Sequence, residues 1–390
     1  MIDPATLRGD WNYPTQMRFG PGRIVELAAV CDELGIERPL LVTDPGLAVL
    51  PMVKDAIARN AEAGRPTGLF SEVQGNPVGR NVDEGLAAYR AGDHDGVIAF
   101  GGGSAIDAAK AVALMAGQTR PLWDFEDKRD NWRRADPAGV APIVAVPTTA
   151  GTGSEVGRAS VIVDEDAATK KIIFHPRMMP SVVISDPELT IGLPPNVTAA
   201  TGMDALAHCV EALCAPGFHP MADGIALEGA RLVHNWLPTA YTDGSNVAAR
   251  AHMLVAASMG ATAFQKGLGA VHAISHPVGA IYGVHHGLAN AIVLPYVLRF
   301  NRAAIEEPMC RLARTLGLAH ATFEAVMAWL LDLRRTLGIP DNLGDIGVPD
   351  GEADRVAAAA AIDPTALTNP VPLDQATLRT LFLDCMHGKL

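Results

Sequence analysis

Cysteine is scarce in this chain. Five thiols, Cys31, Cys209, Cys214, Cys310 and Cys385, are spread over 390 residues. The number is odd and no C-x-x-C pair occurs, which argues against a disulfide framework and a thiolate zinc site. Long apolar runs are missing too: none reaches the roughly 18 residues of a membrane-spanning helix. The opening Met1-Ile2-Asp3-Pro4 has neither the basic flank nor the apolar core of a secretory signal. Positive charge is outweighed, with 31 Lys and Arg against 43 Asp and Glu and a net charge of −12. A sequence-independent nucleic-acid surface needs the opposite balance, because its affinity comes from cations neutralising phosphates. These absences leave a soluble intracellular protein with no nucleic-acid and no membrane partner.

What is present is a large store of core-forming residues. The chain is 49% hydrophobic and only 19% charged, too apolar for disorder. Its first half alternates short apolar runs with helical periodicity. Residues 39–44, 95–100, 141–146 and 181–186 read as strands, and 24–34 and 82–91 as helices between them. Such interleaving predicts a mostly parallel sheet covered on both faces. Past Leu193-Pro194-Pro195 the strand punctuation disappears, and 203–214, 225–236 and 247–264 read as helices. In the first of these, Met203, Leu206, Ala207, Val210, Leu213 and Cys214 fall on one helical face. The alanine run at 357–361 reads as helix as well. The expected division is an α/β domain over 1–194 and an all-α domain over 195–390.

Two loops in the first half are built for close backbone approach. Gly101-Gly102-Gly103-Ser104 stands between an apolar strand and an Ala-rich helix. Glycines permit a sharp turn there, and the N–H groups and positive dipole end of the following helix suit a pyrophosphate. The pattern is not G-x-G-x-x-G, since Ile106 holds the third glycine's place, and no G-K-[ST] closes it as a P-loop. A tight turn without a ligand is the plainer reading of this loop alone. Thr148, Thr149, Thr152 and Ser154, interleaved with Gly151 and Gly153, follow another strand end. Open α/β sheets bind ligands along the carboxyl ends of their strands, where both loops fall. Asp44 also ends a strand, and by itself reads as a turn-initiating acid before Pro45-Gly46.

Histidine is concentrated in the second half. Of 12 histidines, His208, His219, His234, His252, His272, His276, His285 and His286 fall within one short stretch. Asp204 and His208 are four apart, so both project from one face of the predicted helix, and Glu211 extends that polar stripe as a second-layer acceptor. His272 and His276 repeat the spacing, and His286 follows what reads as a break at Pro277-Val278-Gly279. One carboxylate with three imidazoles fits Fe²⁺, Zn²⁺ or Mn²⁺. Surface or packing roles are the plainer reading for His219, His234 and His252.

Taken together, these motifs resemble the iron-containing (group III) alcohol dehydrogenases over nearly the whole chain. The markers are Phe19-Gly-Pro-Gly22, Gly101-Gly-Gly-Ser-x-x-Asp107, Pro147-Thr-Thr-Ala-Gly-Thr-Gly-Ser-Glu155, Asp186-Pro-Glu-Leu189, Gly202-Met-Asp-Ala-Leu-x-His208, His272-Ala-x-x-His276 and His286-Gly287. The resemblance implies an N-terminal α/β dinucleotide-binding domain and an all-α C-terminal metal-binding and substrate domain. This is the dehydroquinate-synthase-like architecture, with the active site in the cleft between. It implies metal ligation by Asp204, His208, His272 and His286 and a proton-transfer role for His276. The cofactor-binding set it implies is Asp44, Gly101, Gly102, Gly103, Ser104, Asp107, Thr148, Thr149, Thr152 and Lys170, with Lys171 adjacent in register. Within that set Asp44 meets the adenosine ribose and favours NAD over NADP, because a 2′-phosphate would be repelled.

The implied enzyme is a cytoplasmic homodimer or larger assembly. It is an iron-type, NAD-linked alcohol dehydrogenase or aldehyde reductase acting on a small primary alcohol or aldehyde, including a hydroxy-acid/semialdehyde pair. Fe²⁺ is the implied ion, with Zn²⁺ or Mn²⁺ as alternatives. Two departures stand out. His285 replaces the proline that many members carry before the last ligand, and 264–272 is one residue shorter than in several of them. Lys266 in that segment, together with Arg158, is a candidate for gripping a substrate carboxylate, against the plainer reading of a solvent-facing lysine. The competing readings are a glycerol-dehydrogenase-like zinc enzyme, a metal-free maleylacetate-reductase-like enzyme and a dehydroquinate-synthase-like lyase.

Overall fold

The computed structural model describes residues 15–167 and 169–390; the opening Met1-Ile2-Asp3-Pro4 lies outside them. The described residues divide into two compact units, 15–192 and 193–390.

In the first unit the strands are β1 (Gln16–Phe19), β2 (Pro39–Val42), β3 (Gly68–Phe70), β4 (Gly96–Gly101), β5 (Ile143–Pro147), β6 (Ala159–Asp164), β7 (Thr169–Phe174) and β8 (Val182–Ser185). The helices among them are α1 (Leu27–Glu33), α2 (Pro45–Ala48), α3 (Pro51–Glu62), α4 (Gly79–Ala91) and α5 (Gly103–Met115). Six strands form one parallel sheet in the order β1-β8-β5-β4-β2-β3, while β6 and β7 make a separate antiparallel ribbon. Alternate residues build two cores. Leu40, Val42, Val97, Ala99, Ile143 and Ala145 pack with residues of α4 and α5. Leu41, Ile98, Phe100, Val144 and Val146 pack with residues of α1 and α3. Every residue of β2, β4, β5 and β8 is buried, so these strands read as unbroken apolar runs. The chain leaves β2 for β3 on one side and returns to β4 on the other. The carboxyl ends of β2 and β4 therefore flank a topological switch point, where open sheets form a binding crevice.

The second unit contains α6 (Pro195–Cys214), α7 (Pro220–Thr242), α8 (Val247–Ala263), α9 (Ala270–Tyr282), α10 (His286–Leu316), α11 (Phe323–Thr336), α12 (Ala353–Ala361) and α13 (Gln375–His387). No strand occurs among its described residues. Helix α6 is buried without a break from Thr198 to Cys214, as a helix surrounded by others must be. It packs against α7, α8 and α10. Contrary to the expectation of no membrane-length apolar stretch, residues Val247–Lys266 are long and apolar enough to cross a membrane by length and composition; 61% of the apolar 18-residue stretch within them is buried inside the protein, as in a core helix. The chain break expected at Pro277 falls elsewhere. Helix α9 runs through Pro277 and ends at Gly283, whose φ of 69° is the left-handed conformation that a helix stop uses.

Candidate metal centre and nucleotide-binding edge

Three helices deliver the polar cluster of the second unit. Asp204 and His208 lie one turn apart on α6, His272 in the first turn of α9, and His286 at the first position of α10. One ligand-type atom from each lies within 4.8 Å of the others. Asp204 Oδ1 is 3.8 Å from His208 Nε2 and 3.7 Å from His286 Nε2. Asp204, His208 and His272 side chains are 2–3% exposed and that of His286 is 22% exposed, so the cluster has one open side. His285 is exposed at the cap of α10 and is not a member of the cluster.

The surrounding groups hold these side chains in place. Glu211 Oε1 accepts from Val271 N at 2.9 Å, and its Oε2 accepts from His272 Nδ1. The proton is thereby held on Nδ1, and His272 Nε2 faces the cluster as a lone pair. Asn290, fully buried one turn along α10, donates from Nδ2 to Asp204 Oδ1 at 2.7 Å. The same nitrogen lies 3.2 Å from His272 Nε2 and 3.1 Å from His286 Nε2. Burial opposes a charge on His272, but the carboxylates of Glu211, Asp204 and Asp363 outweigh it and raise its pKa. One carboxylate and three imidazole nitrogens converge in a negative field. That donor set fits a divalent cation of the Fe²⁺, Zn²⁺ or Mn²⁺ type.

His276 lies one turn beyond His272 and outside the four-atom cluster, with its ring stacked 5.4 Å from that of His286. Its Nδ1 donates to Asp363 Oδ2 at 2.7 Å. Burial raises the Asp363 pKa, but the charge and hydrogen bond of His276 and the bonds from Thr365 prevail and hold it below the usual carboxylate range. Neither Asn290 nor Asp363 was expected from the sequence. Asp363 precedes a proline and reads as an ordinary turn, and nothing local ties it to a histidine 87 positions away.

The two glycine and threonine loops meet at the carboxyl edge of the first unit's sheet. Gly101 is paired in register with Pro147, and Thr148 N donates to Gly101 O at 3.0 Å. Gly101 has φ +148°, and a Cβ on Gly103 would stand 2.5 Å from Thr152 Oγ1. A Cβ on Gly102 would come within 3.2 Å of Thr149. The loops thus pack backbone against side chain with no room between them. Ser104 Oγ accepts from Asn76 N at 3.3 Å. Asp44 caps α2, its Oδ1 accepting from Leu47 N at 3.0 Å, the role expected of a turn-initiating acid.

Asp107 is engaged internally. Its Oδ1 accepts from Ser154 Oγ and its Oδ2 from Val161 N at 2.9 Å, while the fully buried Lys110 Nζ lies 3.5 Å away and donates to Ser154 O. This pair braces α5 against the second loop and β6. Lys171 is committed to Asp164 at 2.5 Å and lies over the Trp123 ring, whereas Lys170 is the half-buried neighbour on β7.

Lys266 does not face solvent. Its Nζ pairs with Asp223 Oδ1 at 2.6 Å and donates to Leu213 O at 3.2 Å, and its side chain is 6% exposed. The remaining histidines have structural surroundings. His219 caps α7 through Ala222 N, His234 meets Trp329 edge-on, and His252 stacks on Trp236. All five cysteines are free thiols, and burial pushes Cys209 up to about 12.

Residues 14–187 match the sequence profile of iron-containing alcohol dehydrogenases, and residues 198–386 match that of the family's C-terminal domain. The 4-hydroxybutyrate dehydrogenase of Cupriavidus necator is 40% identical over 385 residues, covering 96% of this chain and 99% of the relative. A 1,3-propanediol dehydrogenase of Klebsiella pneumoniae is 36% identical over 382 residues, covering 96% and 97%. Among solved structures, a 1,3-propanediol oxidoreductase superposes with a TM-score of 0.91 at 36% identity, covering 97% of this chain and 99% of that one.

Proposed function

The chain belongs to the iron-containing alcohol dehydrogenase family, and from that membership we propose a metal-dependent, NAD-linked hydride transfer between nicotinamide and a small primary alcohol or its aldehyde. The observation that carries the reading is the convergence of Asp204, His208, His272 and His286 on one point, with His272 oriented by Glu211. These four residues would hold the ion, Fe²⁺ in the first instance. When bound, the ion supplies Lewis acidity at the substrate oxygen, and the nicotinamide supplies the hydride acceptor or donor. His276, directly or through a water or ribose hydroxyl, moves the proton that accompanies the hydride. The backbone at Gly101, Gly102, Gly103 and Ser104 would hold the pyrophosphate, Thr148, Thr149 and Thr152 would line the adenine and the nicotinamide ribose, and Lys170 would contact the cofactor. Asp44 would receive the adenosine ribose hydroxyls and would disfavour a 2′-phosphate. Asp107 serves this site by bracing the helix behind the loop.

The substrate class follows the relatives. One acts on 4-hydroxybutyrate and another on 1,3-propanediol, both short chains with a terminal hydroxyl. A hydroxy-acid/semialdehyde pair is the version to try first. The converged ligand set speaks against a metal-free maleylacetate-reductase-like enzyme.

The test is metal analysis of anaerobically purified protein, paired with NADH oxidation against four-carbon aldehydes with and without a terminal carboxylate. The expected result is about one ion per chain, consistent with a single four-ligand site, and turnover lost on chelation and restored by metal. Undiminished turnover after complete metal removal would overturn the metal-dependent reading.

A further inference from the structure

We propose that Asp363, on the turn that follows α12, is the residue that orients His276 for proton transfer, holding its Nδ1–H so that Nε2 is the proton-accepting atom. This rests on the dehydrogenase reading above.

The geometry is that of a carboxylate built to serve one imidazole. Asp363 Oδ2 faces His276 Nδ1 at 2.7 Å, and each side chain is only 9% exposed. Asp363 Oδ1 is occupied separately, accepting from Thr365 N at 2.9 Å and Thr365 Oγ1 at 2.6 Å. The carboxylate is therefore fixed by one oxygen and offers the other. Its turn is also anchored at the far end to the start of α9. Thr368 Oγ1 donates to Leu268 O at 2.8 Å, and Asn369 Oδ1 accepts from Ala270 N at 3.1 Å. Asn369 and Asn301 exchange a reciprocal pair of side-chain bonds, each 2.9 Å. The segment 363–369 thus grips the helix that carries His276 both at its N-terminus and at the histidine.

The neighbouring histidine shows what the arrangement does. His272 and His276 are one turn apart on α9, and each gives its Nδ1–H to a buried carboxylate, Glu211 or Asp363. Each presents Nε2 as a lone pair. His272 Nε2 joins Asp204, His208 and His286, whereas His276 stands outside that group, so its Nε2 remains available to a proton. With a bound nicotinamide as the hydride acceptor in alcohol oxidation, the hydroxyl proton would pass to His276 Nε2. The resulting imidazolium is stabilised by Asp363 and releases its proton to water; aldehyde reduction runs the same exchange backwards. Asp363 touches none of the reacting atoms and acts through His276 alone.

The experiment compares holoenzymes of the wild type, Asp363→Asn, His276→Ala and the double variant. Asparagine can keep its Oδ1 on Thr365 while turning an N–H toward His276 Nδ1, which imposes the wrong tautomer. Asp363→Asn should lower kcat by about 10- to 100-fold, with metal content, NADH affinity and aldehyde KM left at wild-type values. In the His276→Ala background the same substitution should cost nothing further, an outcome that a purely structural role would not produce. Should Asp363→Asn fail to fold, Thr365→Val keeps the carboxylate but removes one anchor, and should give a smaller loss confined to kcat. Wild-type kcat in the variant that folds, an equal loss in the His276→Ala background, or loss of bound metal would each overturn the proposal. A wild type without turnover would sink the dehydrogenase reading itself, and this proposal with it.

Discussion

Glu211 sets the orientation of His272 twice over, accepting from its imidazole with one oxygen and capping its helix at Val271 N with the other, at 2.9 Å. The capping bond needs only an acceptor, whereas the imidazole bond needs a carboxylate to fix the tautomer and strengthen the ring as a donor. Glu211→Gln separates the two roles. The variant should fold, and its metal affinity should fall by about 10- to 100-fold, read by chelator competition with far-UV circular dichroism as the control. Unchanged affinity would show that the helix cap alone positions His272.

Gly103 tests the other unit. An added Cβ would press on Thr152, with Oγ1 at 2.5 Å and Cβ at 2.8 Å, so Gly103→Ala must move the two loops apart. NADH should bind about tenfold more weakly, roughly 1.4 kcal/mol, by fluorescence titration. Metal content should stay unchanged because the ligands belong to the helical unit. NADH binding at the wild-type level would remove these loops from the cofactor site.

The parts of the molecule legible in the sequence are those whose signal is local. Strands β2, β4, β5 and β8 are buried on both faces and announce themselves as continuous apolar runs. The short edge strands β1 and β3 and the ribbon β6–β7 carry mixed burial and so lack that signal. Asp204 and His208 were legible because helical spacing puts them on one face. Asn290 was not, since an asparagine inside a helix looks like any other polar residue until its partners arrive from α6 and α9. Asp363 acquires its meaning only when the turn bearing it folds back on Leu268 and Ala270. Pro277 misled because a proline within a pattern suggests a stop, whereas burial of α9 keeps the helix intact through it.

Lys266 gives a prediction opposite to the one its sequence position invites. Its ammonium is paired with Asp223 at 2.6 Å, and Asp223 also has Arg311 at 3.5 Å. Lys266→Ala should lower stability by about 1–3 kcal/mol, read from urea melts. The ratio of kcat/KM for carboxylated and neutral aldehydes of equal length should not change. A selective loss on the carboxylated substrate would place Lys266 in the substrate site after all.

Acid sensitivity of the protein should run partly through His175. This residue is 2% exposed, and its Nδ1 accepts from Arg177 N at 3.1 Å to cap a short turn. Burial, reinforced by the Arg177 charge, lowers its pKa below the ordinary value. Between that depressed folded pKa and the unfolded value of about 6.5, the unfolded chain binds the extra proton. The histidine's contribution is therefore complete above the unfolded pKa and is lost as pH falls toward the folded one, with a slope of at most about 1.4 kcal/mol per pH unit. His175→Asn keeps an acceptor for Arg177 N and removes the titration. Its stability should fall less steeply than that of the wild type between about pH 7 and pH 5, measured by urea melts. Some slope will persist from His219 and His234, whose pKa values burial also lowers. Equal slopes in the two proteins would mean that His175 accepts its proton without disturbing the turn.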